Sequence, residues 1–177
     1  MEQNNWIQVM AGQMQTAALM DTNQYTKTYG LVLTQEEAKW LVSERAQALQ
    51  EQKRVELTQS VLPKLIYEFC DSSYITQDAY AETIARLQEI FFQYKNEMLD
   101  EITDAELLHF MKEQFEGICG GDLEYLEGTC LNLFAQAVRA GYSSYQRTDG
   151  YHAYQTLDEV TRWDRDLYLE ALSDLFG

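Results

Sequence analysis

Residues 103–129 read TDAELLHFMKEQFEGICGGDLEYLEGT, and this stretch decides the fold class. Thr103-Asp104-Ala105-Glu106 is a capping-box pattern: the threonine hydroxyl can accept from the amide three residues on, while Glu106 reaches back to the amide of Thr103. Leu107, Leu108, Met111 and Phe115 then recur at helical spacing. Gly120-Gly121 is the expected stop, because glycine enters the left-handed conformation without a steric penalty. Asp122 is placed to cap a following helix through Leu123, Leu126, Cys130, Leu133, Phe134, Ala137 and Val138, ending at Gly141.

Outward from this stretch the same signals repeat. Thr34-Gln35-Glu36-Glu37 is another capping box and predicts a helix from about Gln35 to about Gln52, with Ala38, Leu41, Val42, Arg45, Ala48 and Leu49 on one stripe. The preceding Leu31-Val32-Leu33 is a short β-like run. Ser60 can cap a short helix through Leu62, Leu65, Ile66 and Phe69, with Pro63 tolerated in its first turn. Thr76 is expected to open the longest helix, to about Met98, carrying Tyr80, Ile84, Leu87, Phe91, Tyr94 and Met98. In the cluster Ile90-Phe91-Phe92-Tyr94, Phe92 falls off the core stripe; a central buried helix accounts for it, with a homodimer face as the alternative.

At the beginning of the chain, Trp6, Ile7, Val9 and Met10 and then Met14, Ala17, Ala18 and Leu19 suit one or two apolar helical turns, and Asp21–Tyr29 reads as a polar connection to Gly30. At its end, Thr156-Leu157-Asp158-Glu159 predicts a last helix with Val160, Trp163, Leu167, Leu172 and Leu175. Six or seven helices without a credible strand pair give an all-α fold. We expect a single compact bundle over 1–177, with 1–30 an N-terminal helical segment and connection and 140–177 a C-terminal extension. One proline in 177 residues leaves room for long helices.

Composition limits function. Twenty-nine acidic residues against 13 basic give a net charge of −16, concentrated in the middle and end of the chain. Such a surface repels phosphate backbones and anionic membranes, so neither nucleic acid nor membrane is an expected partner. No apolar run reaches a membrane-spanning length, and the opening residues lack the basic start and apolar core of a secretory signal. Cys70, Cys119 and Cys130 form an odd, sparse set without CxxC spacing, which suits reduced thiols and a cytoplasmic location.

TQEEAKWLVSERAQAL (34–49), FCDSSYITQDAYAETIARLQEIFFQYKNE (69–97) and the 103–129 stretch together resemble a family of small bacterial proteins, mainly from Firmicutes, that is classed as a domain of unknown function. The resemblance covers roughly residues 28–135. It implies a bacterial cytoplasmic protein and no particular activity, ligand or cofactor.

Few residues suggest chemistry. Glu106 and His109 form a Glu-x-x-His pair, the kind that di-iron bundles use in two copies with two further carboxylates. Only one copy is present, His152 is the other histidine of the chain, and Glu82 and Glu89 are the nearest additional carboxylates by spacing. A scattered zinc set of Cys70, Cys119, Cys130 and His109 is conceivable. In it Cys130 reads as a small core residue, whereas Cys119 is expected to lie exposed at a helix end. No catalytic set and no cofactor site emerges.

The strongest surface signal is RAGYSSYQRTDGYHAY (139–154), in which Arg139, Tyr142, Tyr145, Arg147, Tyr151 and Tyr154 reverse the local charge and supply residue types common at interaction hot spots. The expected function is therefore a protein–protein interaction or regulatory module that binds a protein partner or itself. Metal binding at Glu106 and His109 is one alternative. An acidic mimic of nucleic acid is another, motivated by the charge of residues 60–177.

Overall fold

The computed structural model describes residues 2–56 and 60–139, with side chains from Trp6 onward, and every regular element among them is helical. The chain divides into two compact units, one running to Phe92 and the other starting at Gln93.

The first unit is built on α1 (Glu2–Thr26), which packs against both α2 (Gln35–Glu51) and α3 (Val61–Phe69). At 25 residues α1 is the longest described helix, exceeding the 18 of α4 (Tyr80–Glu97), so the expectation that the helix after Thr76 would be longest is corrected. Asp21–Thr26, read as a connection, is helical too. The side chains there are polar, yet Thr22 and Thr26 are buried and their hydroxyls donate to the Leu19 and Leu31 carbonyls at 2.6 and 2.7 Å. Internal satisfaction of that kind removes the cost that polarity would otherwise carry. A 3₁₀ turn (Lys27–Tyr29) follows and Gly30, at φ 80°, turns the chain.

Leu31–Leu33 is extended, as its composition suggests, but it joins no sheet. Leu31 and Leu33 are buried while Val32 faces out. The backbone groups are satisfied by side-chain amides instead. Gln77 accepts from the Val32 N–H and donates to its carbonyl, both at 2.8 Å, and Asn23 does the same for Leu33 at 2.8 and 2.9 Å. Two carboxamides thus take the place of a neighbouring strand.

Local capping follows the sequence. Thr34 and Glu37 form the reciprocal capping box of α2, and the Ser60 hydroxyl accepts from the Leu62 N–H at the start of α3. Between them, the half-buried Glu56 accepts from Arg45 at 2.6 Å and from the first amide of α3, Val61, at 2.9 Å. One carboxylate therefore serves α2 and the positive end of α3 together. After α3 a 3₁₀ turn (Gln77–Ala79) precedes α4, so Thr76 caps no α-helix and makes no side-chain capping bond. Along α4, Phe91 and Phe92 are both buried and meet edge to face at 5.8 Å. That burial supports the central-helix reading of the aromatic cluster and removes Phe92 as a dimer contact.

The second unit contains the last turn of α4, α5 (Asp104–Glu116), a single α-turn α6 (Leu123–Tyr125), a π segment (Leu126–Cys130) and α7 (Leu131–Arg139). Thr103 and Glu106 form the predicted capping box of α5. The helix stops earlier than expected, at Glu116, with Gly117 as its cap. A Cβ on Gly117 would come within 2.9 Å of the Glu113 carbonyl, so the first glycine of the turn is required by space. Gly120 and Gly121, at φ 56° and 85°, then carry the turn rather than end the helix. Asp122 caps the next stretch by accepting from the amides of Glu124 and Tyr125. The helix through Leu126–Val138 is wider at its start than the sequence indicates: the Leu131 N–H reaches back five residues to Leu126. Phe110 and Phe134 stack at 3.9 Å in the core of this unit.

Candidate functional site

The N-terminal half of α1 carries its large apolar residues on the outside. Trp6 is 65% exposed and Met14 is 70% exposed, with Ile7, Val9 and Met10 also open. The reason lies in which stripe faces α2 and α3. Among the described side chains of α1, Thr16, Leu19, Thr22 and Thr26 are the buried ones, and they leave the face with Trp6, Met10 and Met14, four residues apart in turn, pointing away. Gly12 lies within this stretch, and a Cβ there would meet nothing within 4 Å.

Two hollows flank the helix. One of about 590 Å³ is lined by Val9, Thr16, Ala17 and Met20 of α1 together with Val42 and Ala46 of α2. The other, about 370 Å³, lies among Met14, Ala18 and Leu19 of α1, Val42, and Leu62 and Pro63 of α3. From Gln3 to Met20 no residue bears a formal charge, in a chain of which 24% is charged. That charge-free span is the legible signal for this surface, since the apolar residues by themselves indicate only helical turns.

A second, polar cleft of about 350 Å³ adjoins the π segment, lined by Gln93, Tyr94 and Glu97 of α4 with Glu124, Glu127 and Asn132. The Tyr94 hydroxyl donates to the Glu127 carbonyl. Burial pushes the Tyr94 phenol up to about 12. Glu97 is engaged by Arg139 at 2.5 Å.

The residues singled out from the sequence separate into three groups. Glu106 accepts from the Thr103 amide as a cap, while the His109 imidazole pairs with Glu113 at 2.8 Å, so the Glu-x-x-His side chains serve different partners. Among the described residues no group of three or more His, Cys, Asp and Glu side chains is placed to hold a metal ion. Cys119 and Cys130 come together with their sulfurs 3.5 Å apart. Cys119 is buried, 7% exposed, which corrects its expected exposure at a helix end. Of the Tyr/Arg segment, only Arg139 is described; Tyr142, Tyr145, Arg147, Tyr151 and Tyr154 lie outside the described residues, as do His152 and the helix expected after Thr156. No described helix is long and apolar enough to cross a membrane.

A family model described as a family of unknown function (DUF6323) matches residues 18–144, a wider span than the resemblance over 28–135. The exposed apolar residues of α1 precede the matched span. No curated protein and no solved structure matches the chain.

Proposed function

The chain belongs to DUF6323, a family of unknown function, and because that membership assigns no chemistry we propose from the surface itself that the protein is a helical interaction module whose α1 face pairs with a second copy of the chain. The observation that carries the reading is the exposed apolar face from Trp6 to Met14, set in a span without formal charge from Gln3 to Met20. A molecule with a net charge of −16 resists meeting its own kind wherever carboxylates would be brought together. This face brings none. Tryptophan and methionine are also enriched at interface cores.

A two-fold interface places each residue against its symmetry mate's complement. In an antiparallel pairing about a two-fold axis level with position 12, Met10 lies opposite Met14 near the centre, and the large Trp6 lies opposite the small Ala18 further out.

Light scattering after size-exclusion chromatography tests this directly. The wild-type chain is expected as a dimer and Trp6→Glu/Met10→Glu as a folded monomer. Added salt should tighten the dimer, since it screens the net repulsion while leaving an uncharged contact intact. A wild-type monomer at 100 µM, on the order of a Kd where about 5 kcal/mol of binding would be expected, would sink the proposal, and so would a dimer that survives both substitutions.

The same reading places the protein in the bacterial cytoplasm as one functional domain, supported by three free thiols and by an acidity unsuited to nucleic acid. For a different protein as partner, the Arg139–Tyr154 segment remains the proposed contact, on the strength of its Tyr/Arg composition.

A further inference from the structure

Cys119 sits in the turn between α5 and α6, and Cys130 closes the π segment, eleven positions later. The turn is built to present Cys119 inward. Its N–H bonds to the Gln114 carbonyl at 3.0 Å, and the Gly121 N–H returns to Phe115 at 2.8 Å. Cys130 is fully buried and Cys119 nearly so, and their sulfurs are 3.5 Å apart. A bonded sulfur pair stands at about 2.05 Å, so closure asks for about 1.5 Å of approach, which the two side chains share. One of them is carried by a turn containing two positive-φ glycines, a flexible support.

We infer that Cys119 and Cys130 form a redox-active pair that closes to an intramolecular disulfide, tying the α5–α6 turn to the π segment. The oxidant is a peroxide or a low-molecular-weight disulfide. With hydrogen peroxide, the Cys119 thiolate attacks one peroxide oxygen, the O–O bond breaks, and water leaves after protonation of the departing hydroxide. The sulfenic acid formed on Cys119 is then attacked by the Cys130 sulfur, which releases the second water as the S–S bond forms and the Cys130 proton is taken up by the leaving hydroxyl. Two electrons pass from the sulfurs to the peroxide, and two thiols and one peroxide become one disulfide and two waters. Cys119 is the entry point because it alone of the two retains any contact with solvent. The neighbouring Cys130 thiol, burial and Asp122 all hold the Cys119 thiol well above the usual cysteine range, so the reaction is slow at neutral pH and the pair stays reduced until oxidant is raised.

The sequence makes the test direct. Trypsin releases both cysteines in a single peptide, Glu113–Arg139, and Cys70 in another, Leu65–Arg86. The full-length folded chain is treated with hydrogen peroxide, alkylated and digested. The expected result is a Glu113–Arg139 peptide lighter by about 2 Da and closed to alkylation, restored by a thiol reductant, with Cys70 still alkylated. Cleavage at Glu124 or Glu127 should leave its two halves joined. Cys130→Ser should lose the 2 Da change and accumulate the oxygen adduct on Cys119. Two alkylatable thiols in the peptide after peroxide treatment, a link that forms only when urea is present, or a link from Cys70 to either cysteine would each overturn the inference.

Discussion

Replacing Lys95 by methionine should destabilise the protein by about 2–4 kcal/mol, and the figure follows from what the ammonium holds. Lys95 closes the last turn of α4 and is only 6% exposed. Its Nζ donates to the Ile102 carbonyl at 2.5 Å and pairs with Asp104 at 3.0 Å, with Asp100 further off at 3.9 Å. The two aspartates are about half exposed and rehydrate readily once the lysine is gone, so the ion pairs themselves add little to the loss. The larger part comes from Ile102, which is buried and whose carbonyl loses a charged donor, a loss of about 1.5–3 kcal/mol. Lys95 also steadies a connection in which Leu99 and Asp100 adopt φ of 56° and 55°, a conformation that costs a side-chain-bearing residue about 1 kcal/mol. Methionine matches the aliphatic stem and keeps its packing, which isolates the ammonium. Urea unfolding followed by far-UV circular dichroism gives the difference in midpoint at unchanged slope. A cost below about 0.5 kcal/mol, the range of an ordinary surface substitution, would refute the role assigned to the Ile102 contact.

Gln88 supplies the opposite sign. It is fully buried, and neither atom of its side-chain amide has a hydrogen-bond partner among the described residues, so Gln88→Met should raise stability by about 1–2 kcal/mol in the same urea assay; a lower midpoint would mean that the amide is satisfied. Tyr94 sets an alkaline limit. Its folded pKa is raised to about 12 from the ordinary 10, so the neutral phenol stabilises the fold fully below pH 10, and that contribution is lost as pH rises through 12. Tyr94→Phe should flatten the decline in thermal stability between pH 10 and 12, and an unchanged decline would show that other groups control it.

Helix starts were the most legible part of this protein. Thr34 with Glu37, Thr103 with Glu106, Ser60 and Asp122 all cap as their spacing implies, because a cap is settled within three residues of chain. The cap of α5, Gly117, stands three residues before the stop that Gly120-Gly121 predicts. Three glycines lie in that turn, and only the 2.9 Å clearance at Gly117 distinguishes the one that the helix end requires. For α1, composition suggested an apolar helix, yet hydrophobicity alone did not separate an inward stripe from an outward one. The apolar residues at 6, 7, 9, 10 and 14 fall on one side of the axis, as an inward stripe would, and the stripe that packs is instead partly threonine.

By itself, then, the sequence determined an all-α chain, its principal caps, its acidity and its family. These are set by interactions between near neighbours or by counting. The tertiary structure decided which face of α1 stays uncovered, why an extended Leu31–Leu33 needs no sheet, and that His109 turns to Glu113 while Glu106 caps its helix. It also decided that Cys119 and Cys130 meet. Each of these depends on which groups compete for the same partner or the same space, and for Asn23 with Leu33, Gln77 with Val32 and Cys119 with Cys130 the partners stand ten to 45 positions apart. Chain spacing says nothing about such meetings until the helices have packed and excluded the water that would otherwise satisfy every group separately.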